Sequence, residues 1–285
     1  VDFETIIACQ ELHTNLNHKD WAIVDCRFDL MDPEWGETEY AELHIPCAVY
    51  AHMNRDLSSP FTPTSGRHPL PDPDEFNKSM ERLGINNDTQ VIAYDATSGS
   101  FAARLWFLLR MYGHKKVAVL DGGFPMWSKM GLPIESGVRS NPPGNFRGKP
   151  DMGMIISTSE IEKIYSNPYW RVIDSRAPER YSGKQETIDV KAGHIPGAVN
   201  HFYGKNLDTA GLFHSKEVLR EQFAPVLRSF PPDKTVVYCG SGVTSAHNLL
   251  AMAIAGFPQP LLYNGSWSEW IRDPDHPIIQ KETSW

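Results

Sequence analysis

The sequence is poor in cysteine: Cys9, Cys26, Cys47 and Cys239 are the four in 285 residues, and no two form a C-x-x-C pair. That scatter excludes a zinc ribbon and a disulfide framework, and it predicts free thiols in a reducing compartment. An uninterrupted apolar run of about 18 residues is also missing, and Val1 to Leu12 lack the basic and apolar regions of a secretory signal, so no membrane partner is expected. Cationic excess is absent too. The net charge of −8 argues against nucleic acid and anionic membrane surfaces, both of which recruit clustered Lys and Arg. The compartment these absences suggest is the cytoplasm, or an organelle after loss of a leader. What is present is an ordinary globular composition, 41% hydrophobic and 22% charged, in a chain long enough for two cores.

Those two cores are two copies of one unit. W-A-I-V-D-C-R at Trp21–Arg27 returns as W-R-V-I-D-S-R at Trp170–Arg176, and H-I-P-C-A at His44–Ala48 returns as H-I-P-G-A at His194–Ala198. Further on, Tyr94 pairs with Tyr238, Gly113 with Gly256 and Trp127 with Trp270, in the same chain order. A near-constant shift across such landmarks means duplication. Within each copy, short apolar β-rich runs such as Ala22–Val24, Val91–Tyr94 and Val117–Leu120 alternate with helical stretches, which predicts an open α/β fold: a mostly parallel sheet flanked by helices. Phe101–Tyr112 and Ser245–Ala255 are apolar, free of Pro and Gly, and followed by Gly113 and Gly256, so they read as buried helices with glycine caps.

The expected organisation is a first domain over 1–135, a linker over 136–153 and a second domain over 154–285. The linker stretch holds three prolines and four glycines without apolar periodicity. A second irregular stretch, Leu57 to Asp74, contains five prolines, and a loop of that length is expected to be functional or to cover an interface.

One asymmetry between the copies carries chemistry. Where the first has Asp95 after its strand, the second has Cys239 followed by G-S-G-V-T. A cysteine at the carboxyl end of a parallel strand, just before a helix, stands where open α/β sheets bind ligands. Gly240 and Gly242 let the backbone curl so that successive N–H groups of the loop, which runs on through Val243 and Thr244, can point inward as an anion nest. Such a nest favours the thiolate and would hold a persulfide anion equally well. Residues recurring in both copies, namely His44 with His194, Asp25 with Asp174, Arg27 with Arg176, and Trp127 with Trp270, are read as structural, because the copy without the nucleophile keeps them. Asp121 and Asn264, each before a glycine, read as turn residues.

With D-S-R, G-H-I-P-G-A-V-N and G-S-W-S-E-W around it, C-G-S-G-V-T resembles the tandem rhodanese and 3-mercaptopyruvate sulfurtransferase family over nearly the whole chain. The resemblance implies two tandem rhodanese-like domains with the first catalytically silent, and a covalent persulfide on Cys239 with no metal or organic cofactor. The donor it implies is 3-mercaptopyruvate, because the thiosulfate branch places Arg and Lys directly after the cysteine. The acceptor would be a thiol such as thioredoxin or a low-molecular-weight thiol, or cyanide. It further implies that Arg180 binds the donor's anionic end, a task suited to a planar guanidinium. His68, Ser241 and an acid, of which Asp56 is the nearest candidate and Asn54 its rival, would act together on protons. A second family arginine is missing: Thr187 stands in its place, with Lys184 and Lys191 as candidate substitutes; Arg67, beside His68, is a separate candidate for contact with substrate.

Two other readings stay open beside thiosulfate:cyanide transfer. A Cys-x5-Arg phosphatase shares the nest but needs an arginine where Ser245 and Ala246 stand. A persulfide or redox sensor would use Cys239 as a signal, and commonly keeps a resolving cysteine nearby.

Overall fold

The computed structural model describes residues 2–280 and divides into two units. The first comprises Val1–Ser59, Leu70–Asp151 and Asp208–Phe213; the second comprises Pro60–Pro69, Met152–Leu207 and His214–Trp285. In chain order the first unit contains β1 (Ile6–Ile7), α1 (Cys9–Thr14), β2 (Trp21–Asp25), α2 (Trp35–Glu42), β3 (Ala48–Tyr50), α3 (Pro73–Arg82), β4 (Gln90–Tyr94), α4 (Ala102–Met111), β5 (Val117–Leu120) and α5 (Gly123–Lys129). The second contains β6 (Ile155–Ile156), α6 (Thr158–Ile164), β7 (Arg171–Asp174), α7 (Pro178–Ser182), β8 (Val199–Asn200), α8 (Lys216–Leu227), β9 (Thr235–Tyr238), α9 (Ser245–Ile254), β10 (Leu261–Tyr263) and α10 (Ser266–Trp270). Both sheets have five strands, ordered β1-β5-β4-β2-β3 and β6-β10-β9-β7-β8, and every pairing is parallel. The orders are identical under the repeat, so the duplication covers topology as well as sequence.

Local sequence explains these elements. Strands β4 and β9 are buried at every position, as expected of parallel strands covered on both faces. Helix α3 starts where Asp72 accepts from the N–H groups of Asp74 (2.9 Å) and Glu75 (3.2 Å) with Pro73 at the first helical position. Helix α6 opens with a reciprocal capping box between Ser157 and Glu160. Each sheet has its own apolar core, one including Ile23, Ile92, Leu120 and Trp127, the other Val172, Val236, Tyr263 and Trp270.

The residues that recur in both copies make the same bonds in both. Arg27 Nη2 lies 2.6 Å from Asp25 Oδ2 and donates to the carbonyl of Leu43, and Arg176 Nη2 lies 2.6 Å from Asp174 Oδ2 and donates to that of Gly193. Trp127 Nε1 donates to Pro133 O and Trp270 Nε1 to Pro277 O. The buried Asp25–Arg27 and Asp174–Arg176 pairs hold the β2 and β7 ends in place.

Two stretches differ in detail from expectation. Residues 136–151 have no helix or strand, yet they lie on the first unit rather than hanging free: Gly144 and Phe146 N–H donate to Glu81 O and Ile85 O, and the Phe146 ring is buried. The proline-rich stretch is split, because its Pro60–Pro69 segment packs with the second unit. Asp121, beyond its turn, accepts the N–H of Phe213 at 2.9 Å. Among the described residues no helix is long and apolar enough to cross a membrane.

Candidate active site

Cys239 follows the last residue of β9 and is 1% exposed. Its backbone is fixed from the start of α10: Cys239 N–H donates to Ser266 Oγ (3.1 Å), while the N–H groups of Trp267 and Ser268 donate to the carbonyls of Cys239 (3.0 Å) and Gly240 (2.9 Å). With those carbonyls engaged outward, the loop turns over Gly242 at φ +78° and enters α9 at Ser245. A Cβ on Gly242 would lie 2.4 Å from Asn264 O, so the loop closes tightly on the Asn264 backbone.

The first unit shows what such a loop can hold. Asp95 occupies the place of Cys239 and turns its carboxylate into its own loop: Oδ1 accepts from the N–H groups of Thr97 (2.8 Å) and Gly99 (2.9 Å), and Oδ2 from those of Phe101 (2.7 Å) and Ala102 (2.8 Å). The loop is therefore an anion nest filled by its own side chain. In the second unit the N–H groups of Ser241 and Ser245, which correspond to Thr97 and Phe101, bond the sulfur instead, and the left-handed turn recurs, at Ser98 and Gly242. Burial pushes the Cys239 thiol up, but the Ser245 and Thr244 hydroxyls and these N–H groups outweigh it, and the net shift is downward. The thiolate is thus favoured. By contrast, burial and the nearby Asp121 push Cys9 up to about 11, and burial with Asp25 holds Cys26 well above the ordinary thiol range.

Asp95→Ala should destabilise the first unit by about 3–5 kcal/mol, since four N–H groups lose a buried charged acceptor. Urea unfolding measures this; a loss under about 1 kcal/mol would mean the groups find other partners.

His68 belongs to the second unit, is buried, and its Nδ1 stands 2.8 Å from Ser241 Oγ. The segment bearing it is fastened by Gly66 N–H to Glu269 Oε2 (3.1 Å), Arg67 N–H to Ser268 Oγ (3.1 Å) and Asn264 Nδ2 to His68 O (3.1 Å). Glu269 is the acid of the W-S-E-W motif, so that motif and Asn264 help position the histidine. Asp56 lies in the first unit, where its carboxylate accepts from His52 N–H (2.8 Å), Ser79 Oγ (3.0 Å) and Arg82 Nη2 (2.7 Å).

Arg180 projects from α7 over the loop, and Arg67 meets it there. A Cβ on Gly240 would lie 2.8 Å from Arg67 Nη2 and 3.7 Å from both terminal nitrogens of Arg180, so two guanidinia stand over the residue after Cys239. Arg180 Nε donates to both oxygens of Glu186 (3.0 Å each) and Nη2 to Asp189 Oδ2 (2.8 Å), and Arg67 Nη1 donates to Asp189 Oδ1. Burial pushes the Asp189 carboxyl up, opposed by Arg67 and Arg180, and the net shift is upward. Thr187 and Lys184 are exposed, and Lys191 O accepts from Trp267 Nε1. Among the described residues no group of three or more His, Cys, Asp or Glu is arranged to hold a metal ion.

The family profile of the rhodanese-like domain matches residues 8–130 and again 157–273. The chain belongs to the rhodanese-like family. It is 44% identical over 275 residues to a Pseudomonas aeruginosa protein named probable 3-mercaptopyruvate sulfurtransferase, covering 96% of this chain and 97% of that one. It is 34% identical over 253 residues to the thiosulfate sulfurtransferase of Gallus gallus, covering 85% and 86%. Among solved structures it matches SseA of Escherichia coli, described as a 3-mercaptopyruvate sulfotransferase, with a TM-score of 0.80, 31% identity, and 94% and 100% coverage. Rhodanese-like relatives are thus named for both donors.

Ser245 and Asp189 are the members of this rhodanese-like loop and rim that sequence reading passed over. Ser245 could have been found by carrying Phe101, an Asp95 partner, across the repeat. Nothing local marks Asp189, which owes its place to the approach of Arg67.

Proposed function

We propose that this protein is a sulfurtransferase that takes sulfur from 3-mercaptopyruvate onto Cys239 and passes it to a thiol acceptor. The observation that carries this reading is the Cys239 sulfur in a nest whose twin, in the first unit, holds a carboxylate. A persulfide is an anion of the same charge, and the nest stabilises it without rearrangement.

In the first half-reaction the thiolate attacks the donor's sulfur. The Sγ–S bond forms, the donor's C–S bond breaks, and its electron pair passes to the methylene carbon as the enolate of pyruvate. The thiol proton moves to that carbon, a transfer assigned to Ser241 and His68 at 2.8 Å, and pyruvate leaves Cys239 as the persulfide. Arg180 holds the donor's carboxylate, and Gly240, Gly242, Val243 and Thr244 shape the cradle. In the second half-reaction an acceptor thiolate attacks the outer sulfur and releases the Cys239 thiolate. The partners are therefore a small-molecule donor and a thiol such as thioredoxin or a low-molecular-weight thiol; no cofactor enters, and the cytoplasm is the proposed compartment. The Asp56 carboxylate, bonded to Ser79 and Arg82, is assigned an indirect part through the fold of its own loop.

The test is steady-state sulfur transfer to cyanide with each donor on one preparation. We expect kcat/KM for 3-mercaptopyruvate to exceed that for thiosulfate by at least about tenfold, because two charges on the donor cost more to desolvate than one. A preference for thiosulfate would overturn the donor assignment, and activity with neither would overturn the enzyme.

A further inference from the structure

Three arginines and three carboxylates form one balanced cluster beside the Cys239 loop. Asp174 pairs with Arg176, and Glu186 with Arg180 (3.0 Å) and Arg176 (3.6 Å). Asp189 pairs with Arg180 (2.8 Å) and Arg67. The Asp174 and Glu186 pairs lie on the inner side, and Glu186 is further tied by the N–H groups of Ile188 and Asp189. Asp189 differs. Its carboxylate bridges the two guanidinia that stand over Gly240, the position a donor's own anionic end must approach to bring its sulfur to Cys239. It is also largely desolvated, with its side chain 4% exposed, and water screens its charge little. Arg67 Nε is buried without a hydrogen-bond partner, so this guanidinium is not fully used by the protein. A cleft of about 160 Å³ opens at the same place, lined by Arg67, Asp189, Val190 and Ser268.

We infer that Asp189 determines donor selectivity: by adding its negative charge beside the two guanidinia over Gly240, one of which Glu186 already pairs, it keeps the positive potential there low, so that the site accepts a singly charged 2-oxo acid and disfavours a doubly charged donor. Arg67 is the second cation of that site. The inference rests on the sulfur-transfer reading above and deepens it. The electrostatic argument is simple: the interaction of a fixed site charge with a ligand scales with the ligand's charge. Removing the negative charge of Asp189 therefore raises the affinity of a dianion by about the square of the factor gained by a monoanion.

The experiment compares wild type, Asp189→Asn and Arg67→Ala. In steady-state transfer to cyanide, D189N should raise the thiosulfate-to-mercaptopyruvate ratio of kcat/KM about tenfold, and R67A should raise KM for mercaptopyruvate about tenfold with a smaller change in kcat. A second measurement needs no turnover: the rates at which iodoacetate and iodoacetamide alkylate Cys239, read by mass spectrometry of its peptide. The iodoacetate-to-iodoacetamide ratio should rise several-fold in D189N and fall several-fold in R67A, because only iodoacetate is charged. A wild type inactive with both donors would remove the sulfur-transfer reading, while the alkylation ratio would still report on the charge of the site. Ratios within twofold of wild type in both variants would overturn the role of Asp189, whatever the activity.

Discussion

Cys239→Ser is expected to fold and to lose sulfur transfer with every donor, kcat/KM falling by at least about 10³-fold as it does when other enzymes lose their nucleophile. The side chain is 1% exposed, and serine is nearly isosteric, so packing is kept. The chemistry is lost for two reasons. A hydroxyl in this nest remains protonated at neutral pH, and oxygen forms no persulfide. Incubation with 3-mercaptopyruvate should add the mass of one sulfur atom to wild type and nothing to the variant. Transfer retained by the variant with any donor would remove Cys239 from the mechanism.

The second large effect is expected at Gly242→Ala. The residue sits at φ +78°, where an L side chain costs about 1–2 kcal/mol, and the added Cβ would stand 2.4 Å from Asn264 O. That oxygen belongs to the backbone of the turn between β10 and α10, so the loop must move rather than the neighbour. A displacement of about 1 Å takes the Ser241 and Ser245 N–H groups off the sulfur and costs roughly 10²-fold in kcat/KM. The same loss should raise the Cys239 pKa, because those bonds and the Ser245 and Thr244 hydroxyls are what overcome burial. The pH dependence of Cys239 alkylation by iodoacetamide reads this directly: the rising limb should move to higher pH in the variant. An activity within threefold of wild type with an unmoved limb would mean the nest does not activate the thiol.

Much of this was legible because it is local. The offset pairs Tyr94 with Tyr238 and Asp95 with Cys239 needed only comparison of the chain with itself, and the structure gives both copies one strand order. Gly240 and Gly242 marked a tight loop, and at Gly242 the structure gives the reason: a left-handed turn held so close to the Asn264 backbone oxygen that a Cβ would stand 2.4 Å from it. The exclusion of Asp25, Arg27, Asp174 and Arg176 from the site followed from their recurrence, and both pairs are buried and mutually bonded. Asn264 shows the limit of that logic. As a residue before a glycine it reads as a turn former, and its amide also anchors the carbonyl of His68, 196 positions away.

By itself, then, the sequence determined the duplication, the parallel α/β class, and the place of Cys239 and its loop as the candidate site, since each rests on hydrophobic period, glycine placement or residues within a few positions of Cys239. Tertiary structure alone decided that Pro60–Pro69 packs with the second unit, that Arg67 and Arg180 converge on Gly240, and that Asp189 stands between them. The Arg67 contacts join residues more than a hundred positions apart, and charged residues on loops carry no period that announces a partner: their pairing is set by where the backbone brings them and by the cost of burying either one alone.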